Sequence, residues 1–184
     1  MAQNWSFGAY VAPELKVQFI NPNAVVSVGI NPSPGFASGV FGQKRISEAT
    51  SLRFGFSYGV QKEVVRDLRA LLPIDLRTSV RHVTMGVPVT FVWGGAGKML
   101  TFFGGVEVRH QRTQTMPVSD TQEFFFEQSP RFIVEQHVGM GYNFRMSEDW
   151  KLLIEPYTAI SVSEFGAPSV PIRFGLRVAS TLSP

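Results

Sequence analysis

Cysteine is absent from the 184-residue chain, which excludes disulfides, thiolate metal centres and cysteine nucleophiles. Charge is scarce as well: Asp, Glu, Lys and Arg make up 17%, against roughly 25% in soluble domains. The net charge is only +3. Its basic residues are scattered, so the clustered footprint of a nucleic-acid-binding surface is missing. No stretch approaches the ~18 uninterrupted apolar residues of a transmembrane helix. The first residues, Met1-Ala2-Gln3-Asn4-Trp5, carry neither the basic region nor the apolar core of a secretory signal. Either the protein stays in the cytosol or its signal has been removed, and the rest of the sequence favours the second.

What is there is apolar but interrupted. Mean hydropathy lies just above zero, too apolar for a disordered chain. Aromatics reach 12%, with 16 Phe against 4 Tyr, beside 17 Gly and 12 Pro. A chain can be apolar overall without a long apolar run if it alternates apolar with small and polar residues, as membrane β-barrels do.

The clearest such segment is Leu52 to Gln61. Leu52, Phe54, Phe56, Tyr58 and Val60 share one face; Arg53, Gly55, Ser57, Gly59 and Gln61 share the other. Period-two alternation of this length is a strand signal that a helix cannot produce. The pattern recurs on Val83 to Trp93, Leu100 to Arg109, Phe132 to Phe144, Lys151 to Val162 and Ile172 to Ala179. Two weaker candidates precede these, on Trp5, Phe7, Ala9 and Val11 and on Phe36, Ser38, Val40 and Gly42. About eight strands result, the smallest number found in outer-membrane barrels.

The two faces differ in charge. The apolar faces carry none, whereas the opposite faces hold Arg53, Glu107, Arg109, Glu135, Lys151, Glu155, Arg173 and Arg177 with most of the strand glycines. A soluble barrel would put the apolar face inside and expose glycine-rich strands to water, where glycine weakens them. A membrane barrel puts the small residues in its crowded lumen. The expected fold is therefore all-β: an eight-stranded antiparallel up-and-down transmembrane β-barrel, one domain over residues 1–184. Connections alternate between long (near 13–34, 63–78, 112–130 and 163–170) and short (near 46–50, 94–97 and 145–149). Long extracellular loops and short periplasmic turns are the barrel pattern, so both termini are expected in the periplasm. Trp5, Trp93 and Trp150, with Tyr142 and Phe144, then form a periplasmic aromatic girdle.

Four segments carry a resemblance: S-L-R-F-G-F-S-Y-G-V-Q (51–61), V-T-M-G-V-P-V-T-F (83–91), F-F-G-G-V-E-V (102–108) and V-G-M-G-Y-N-F (138–144). With these the chain resembles the eight-stranded outer-membrane barrels of the OmpA and OmpX type. More closely it resembles the outer membrane β-barrel domain common in Bacteroidota, the PorT-like family. In that family an arginine on the third strand and a proline on the fourth recur, and here they match Arg53 and Pro88. The resemblance implies a bacterial outer-membrane location more than a chemistry. The end of the chain, Ala179-Ser180-Thr181-Leu182-Ser183-Pro184, departs from the pattern by lacking the terminal aromatic of barrel-assembly signals.

Other motifs are weaker. Gly94-Gly95-Ala96-Gly97-Lys98 misses the phosphate-loop spacing, because Met99 follows the lysine and Val92 stands where the first glycine belongs; a tight turn is expected. The lumen charges Arg53, Glu107, Arg109, Glu135, Glu155, Arg173 and Arg177 are expected to form an ion-pair network. A structural filling is favoured over a gate or proton path. His82 and His110 are expected near the extracellular ends of adjacent strands, and His137 in the lumen. No serine stands clearly beside either rim histidine, so no catalytic residue, cofactor or metal site is assigned. Residues Glu63 to Pro73 fit a short amphipathic helix through Val64, Leu68, Leu71 and Leu72. Phe124-Phe125-Phe126 forms a candidate partner loop, though a hairpin of strands extended beyond the membrane is slightly favoured.

The expected role is a non-enzymatic membrane anchor, structural or binding through its extracellular loops. Its partners would be outer-membrane lipid or lipopolysaccharide and other envelope proteins. A lipid-modifying enzyme and a soluble lipocalin-like carrier are the alternatives. The enzyme needs a catalytic constellation at one rim, and the carrier needs its apolar faces pointing inward.

Overall fold

The computed structural model describes residues 5–20, 32–66, 77–94, 98–117, 128–163 and 169–182. Eight strands follow one another: β1 (Trp5–Ile20), β2 (Ser33–Arg45), β3 (Thr50–Arg66), β4 (Arg77–Trp93), β5 (Leu100–Pro117), β6 (Gln128–Arg145), β7 (Trp150–Ser161) and β8 (Ser169–Leu182). Each pairs antiparallel with its chain neighbour, and β1 pairs with β8 to close an up-and-down barrel. Closure leaves no free sheet edge along the wall.

Alternation sets the two sides of the wall. Outward go Phe7, Phe36, Val40, Phe54, Phe56, Tyr58, Met85, Val87, Val106, Val108 and Phe174, all exposed. Phe56 stands 50% and Val106 43% exposed at mid-strand. Inward go the charged residues and glycines. This is the reverse of a water-soluble barrel. The exterior suits hydrocarbon, and the inward-facing carrier arrangement is excluded.

The strands reach further at the loop end than the periodicity suggested. The expected long connection at 13–34 begins at a proline, yet β1 continues to Ile20. Pro13 stays in register with Phe36 on β2, and the pairing with β8 is interrupted only at residues 12 and 13. Pro88 and Pro156 fall at similar gaps, in β3–β4 and β6–β7. A proline removes one donor from the ladder, and here the strand passes through it. Likewise Glu63–Arg66 belong to β3, paired with Val80 to Arg77, and not to a helix. Gln61 and Glu63 face inward with Lys62 outward, so the period of two simply continues. The remainder of the expected helix, 67–73, lies outside the described residues, as does Phe124-Phe125-Phe126. β5 extends to Pro117, so 112–117 is strand and not loop.

The short connections gather at the end that holds both termini. Two of them are the same turn. Arg45-Ile46-Ser47-Glu48 and Arg145-Met146-Ser147-Glu148 each place the serine Oγ as acceptor for the backbone N–H of Thr50 or Trp150 (3.1 Å in both). In each, the arginine Nε donates to the serine carbonyl (3.2 and 3.3 Å). Gly94, at the end of β4, adopts φ +135°, a conformation open to glycine and strained for other residues. In the lumen, a Cβ at Gly175 would stand 2.6 Å from the Tyr157 hydroxyl oxygen, so glycine there makes room for the ring opposite.

The exterior has a direct test. Phe56→Arg and Val106→Arg should each destabilise the barrel in lipid vesicles by roughly 2–4 kcal/mol, as at a barrel midplane. Glu48→Arg in an exposed turn should change stability by less than about 0.5 kcal/mol. Urea unfolding followed by tryptophan fluorescence reads all three.

Candidate functional site

Inward-facing residues that sequence reasoning scattered over six strands converge on the barrel axis. Among the described residues, ten charged side chains are buried: Glu14, Glu63, Glu107, Glu135 and Glu155 against Lys16, Arg53, Arg109, Arg173 and Arg177. Five carboxylates against five cations make the lumen electrically neutral. They form three connected clusters along the axis.

Nearest the terminal end, Arg53 Nη1 lies 2.8 Å from both oxygens of Glu155, and its Nε donates to Gln43 (3.1 Å). Arg177 Nη1 donates to the same carboxylate at 3.2 Å. Glu155 is wholly buried. The Nε of Arg177 lacks a hydrogen-bond partner, but its guanidinium packs over the rings of Tyr10 (4.6 Å), Tyr157 (5.2 Å) and Phe103 (5.7 Å). Arg53 likewise stacks over Phe41 at 4.6 Å. Aromatic faces thus take the place of acceptors.

In the middle, Glu107 and Glu135 stand directly opposite on β5 and β6. Such a like-charge pair is destabilising by itself. Two arginines offset it. Arg109 Nε sits 3.0 Å from Glu107 and 3.3 Å from Glu135, as an ion contact without an aligned hydrogen bond. Arg173 grips Glu135 with Nε (3.2 Å) and Nη2, while its Nη1 reaches Glu14. Ser57 donates to Glu107 and the Tyr157 hydroxyl donates to Glu14. His137, expected in the lumen, is buried there against Thr90 Oγ1 at 2.8 Å.

The loop end holds a third cluster that the periodicity missed. Glu63 Oε2 lies 3.3 Å from Lys16 Nζ and 3.4 Å from His82 Nε2. His82 Nδ1 accepts from Gln111 Nε2 (3.0 Å) and lies 3.1 Å from Thr113 Oγ1. The overlooked signal was the continuation of period two from Ala12 past Pro13 into Glu14 and Lys16, and past Gln61 into Glu63. His82 and His110 do lie on adjacent strands, but on opposite sides of the wall. His82 faces the lumen, while His110 stacks on Phe132 at 5.3 Å, on the outward register of β5. No group of three or more His, Asp or Glu that could hold a metal ion occurs among the described residues.

The five aromatic residues Trp5, Trp93, Trp150, Tyr142 and Phe144 all face outward, exposed, at the end where the termini lie. Lys44 Nζ sits 5.6 Å above the Trp5 ring, and Trp150 Nε1 donates to Ser180. The exposed ring bodies are free to lie in an interface.

No family model and no curated protein matches the chain, so the narrower PorT-like resemblance rests on the residues alone. Solved structures do match. The outer membrane protein OprG from Pseudomonas aeruginosa aligns with a TM-score of 0.57 at 7% identity, over 97% of this chain and 95% of that one. Neisserial surface protein A aligns at 0.55 and 11%, over 98% and 97%. Ail, the attachment invasion locus protein of Yersinia pestis, aligns at 0.52 and 9%, over 99% and 100%. The fold is that of these outer-membrane barrels along its whole length.

The pairing is testable at its most buried member. Glu155→Ala leaves Arg53 and Arg177 without their carboxylate and should cost about 3–5 kcal/mol, the usual penalty for an uncompensated buried charge. The loss should appear as a lower urea midpoint in lipid vesicles.

Proposed function

We propose that the protein is an integral barrel of the bacterial outer membrane that acts as a non-conducting anchor. Its termini lie in the periplasm, and its loops contact other envelope components. The observation that carries this reading is the neutral, side-chain-filled lumen inside an apolar wall. Eight strands enclose a space just wide enough for side chains. Here Tyr10, Phe41, Phe103 and Tyr157 share it with ten charged groups. No width is left for a solute, and pairing fixes the arginines that would otherwise attract anions.

The orientation follows from connection length. Turns of four to six residues (46–49, 94–99 and 146–149) join strands at the terminal end, while 21–32, 67–76, 118–127 and 162–168 join them at the other. Short turns are periplasmic and longer loops extracellular in bacterial barrels. The aromatic residues at the terminal end then mark the periplasmic interface. Phe124-Phe125-Phe126, in the connection between β5 and β6, is the candidate contact for an envelope partner. A catalytic role finds no support in the histidines, since His82 and His110 are divided by the wall. The narrower reading as a PorT-like barrel agrees with Arg53 and Pro88, which line the lumen on β3 and β4.

Single-channel recording in planar bilayers tests the anchor reading. The protein, and Glu135→Ala with it, should give no steady current, because the neighbouring side chains still block the path. Steady, reproducible conductance from the unsubstituted protein would refute a filled lumen and return a transport function.

A further inference from the structure

The outer wall is uncharged through its middle, but it is not alike at its two ends. At the loop end, three cations face outward on three consecutive strands: Lys62 on β3, Arg81 on β4 and Arg112 on β5, all exposed. Lys62 and Arg81 are directly opposite in register. Arg81 pairs with Gln114 and Arg112 with Val83, which makes Arg81 and Arg112 diagonal neighbours on the same face. Direct partners have Cβ atoms ~5 Å apart and diagonal ones ~7–8 Å. The three form one compact patch.

No described residue neutralises it. Every described acid of the loop half, namely Glu14, Glu63, Glu107 and Glu135, faces the lumen and is already paired there. None of the three cations makes an ion pair among the described residues. Like charges placed opposite on a sheet repel, so this arrangement by itself weakens the wall. It is stabilising only if an anion lies across it.

Depth identifies the anion. Counting along the strands, ten residues separate Leu52 from Lys62, twelve separate Trp93 from Arg81, and ten separate Phe102 from Arg112. With ~3.3 Å per residue and strands tilted ~40°, that is roughly 25–30 Å above the aromatic belt. This matches the height of an outer-membrane barrel's apolar band. The patch therefore lies at the headgroup level of the opposite leaflet, where the anions are lipid phosphates. Just below it, His110 and Phe132 stack, and Phe132 is 73% exposed, giving the interface an aromatic shelf beside the cations.

We propose that Lys62, Arg81 and Arg112 form a binding site for the phosphate groups of a phosphorylated glycolipid in the leaflet at the loop end. This rests on the lipid-embedded reading and deepens it by naming the lipid class and the residues. One or two phosphates bridging three guanidinium and ammonium groups would turn the repulsion across β3, β4 and β5 into attraction. Arginine suits this role because its planar fork donates two hydrogen bonds to one phosphate.

The test uses the whole barrel refolded into phosphatidylcholine vesicles, with or without diphosphoryl lipid A, and in parallel with phosphatidylglycerol or dissolved inorganic phosphate. Retained lipid is measured by native mass spectrometry. The triple variant Lys62→Gln, Arg81→Gln, Arg112→Gln should hold lipid A roughly a hundredfold more weakly, and Arg81→Gln alone about fivefold, given the worth of one cation near an anionic surface. In phosphatidylcholine alone the triple variant should be at least as stable as the parent, because the repulsion is gone. Arg45→Gln with Arg145→Gln, at the other end, should leave retention unchanged. Equal retention by parent and variants would overturn the site. So would phosphatidylglycerol or inorganic phosphate binding as tightly as lipid A. A barrel that fails to fold in phosphatidylcholine overturns the lipid-embedded reading itself, whereas one that folds and retains no lipid A overturns only the site.

Discussion

A balanced set of buried ion pairs inside a narrow lumen is the constraint from which the rest follows. An eight-stranded barrel encloses little more than its own inward side chains. Each buried charge must therefore find its counter-charge within the wall, since desolvation of a lone ion is prohibitive. The five carboxylates and five cations meet that demand, and where an acceptor is missing an aromatic ring substitutes. Small residues are the steric side of the same constraint. Gly86 lies against Ser57 and Glu107, and Gly175 against the Tyr157 ring, so glycine makes room for the side chains that reach across at these two places.

With the polar groups committed inward, the exterior is free to be apolar, and it is so over the depth of a bilayer. The ends of that band differ. Trp5, Trp93, Trp150, Tyr142 and Phe144 ring one end, and Lys62, Arg81 and Arg112 mark the other. An aromatic ring suits any interface between hydrocarbon and water. Three cations without an ion pair among the described residues suit an interface rich in anions, as the proposed lipid-phosphate site requires.

Much of the barrel was legible in the sequence because strand geometry is local. Side chains alternate every residue, so Phe54, Phe56 and Tyr58 could be assigned to one face and Arg53 and Ser57 to the other without knowing any partner. The same rule placed His137 inside. It failed where a proline or an apparent helical face interrupted the reading. Glu14 and Lys16 were lost behind Pro13, although a proline there removes a single ladder bond. Glu63 was lost because Val64, Leu68 and Leu71 imitate a helical stripe. In both places the pairing with a neighbouring strand outweighed the local signal.

Sequence alone thus determined the strand count, the faces and which face carries the charges, all of which depend on residues near one another in the chain. It could not determine which carboxylate meets which arginine. Arg53 and Glu155 are 102 positions apart, and Arg173 and Glu14 are 159 apart. Their meeting depends on how far each strand is staggered against the next before the sheet closes, a property of the whole barrel and of no single strand. The grouping of Lys62, Arg81 and Arg112 has the same origin: three cations spread over fifty residues became one patch only because the register of β3, β4 and β5 set them side by side.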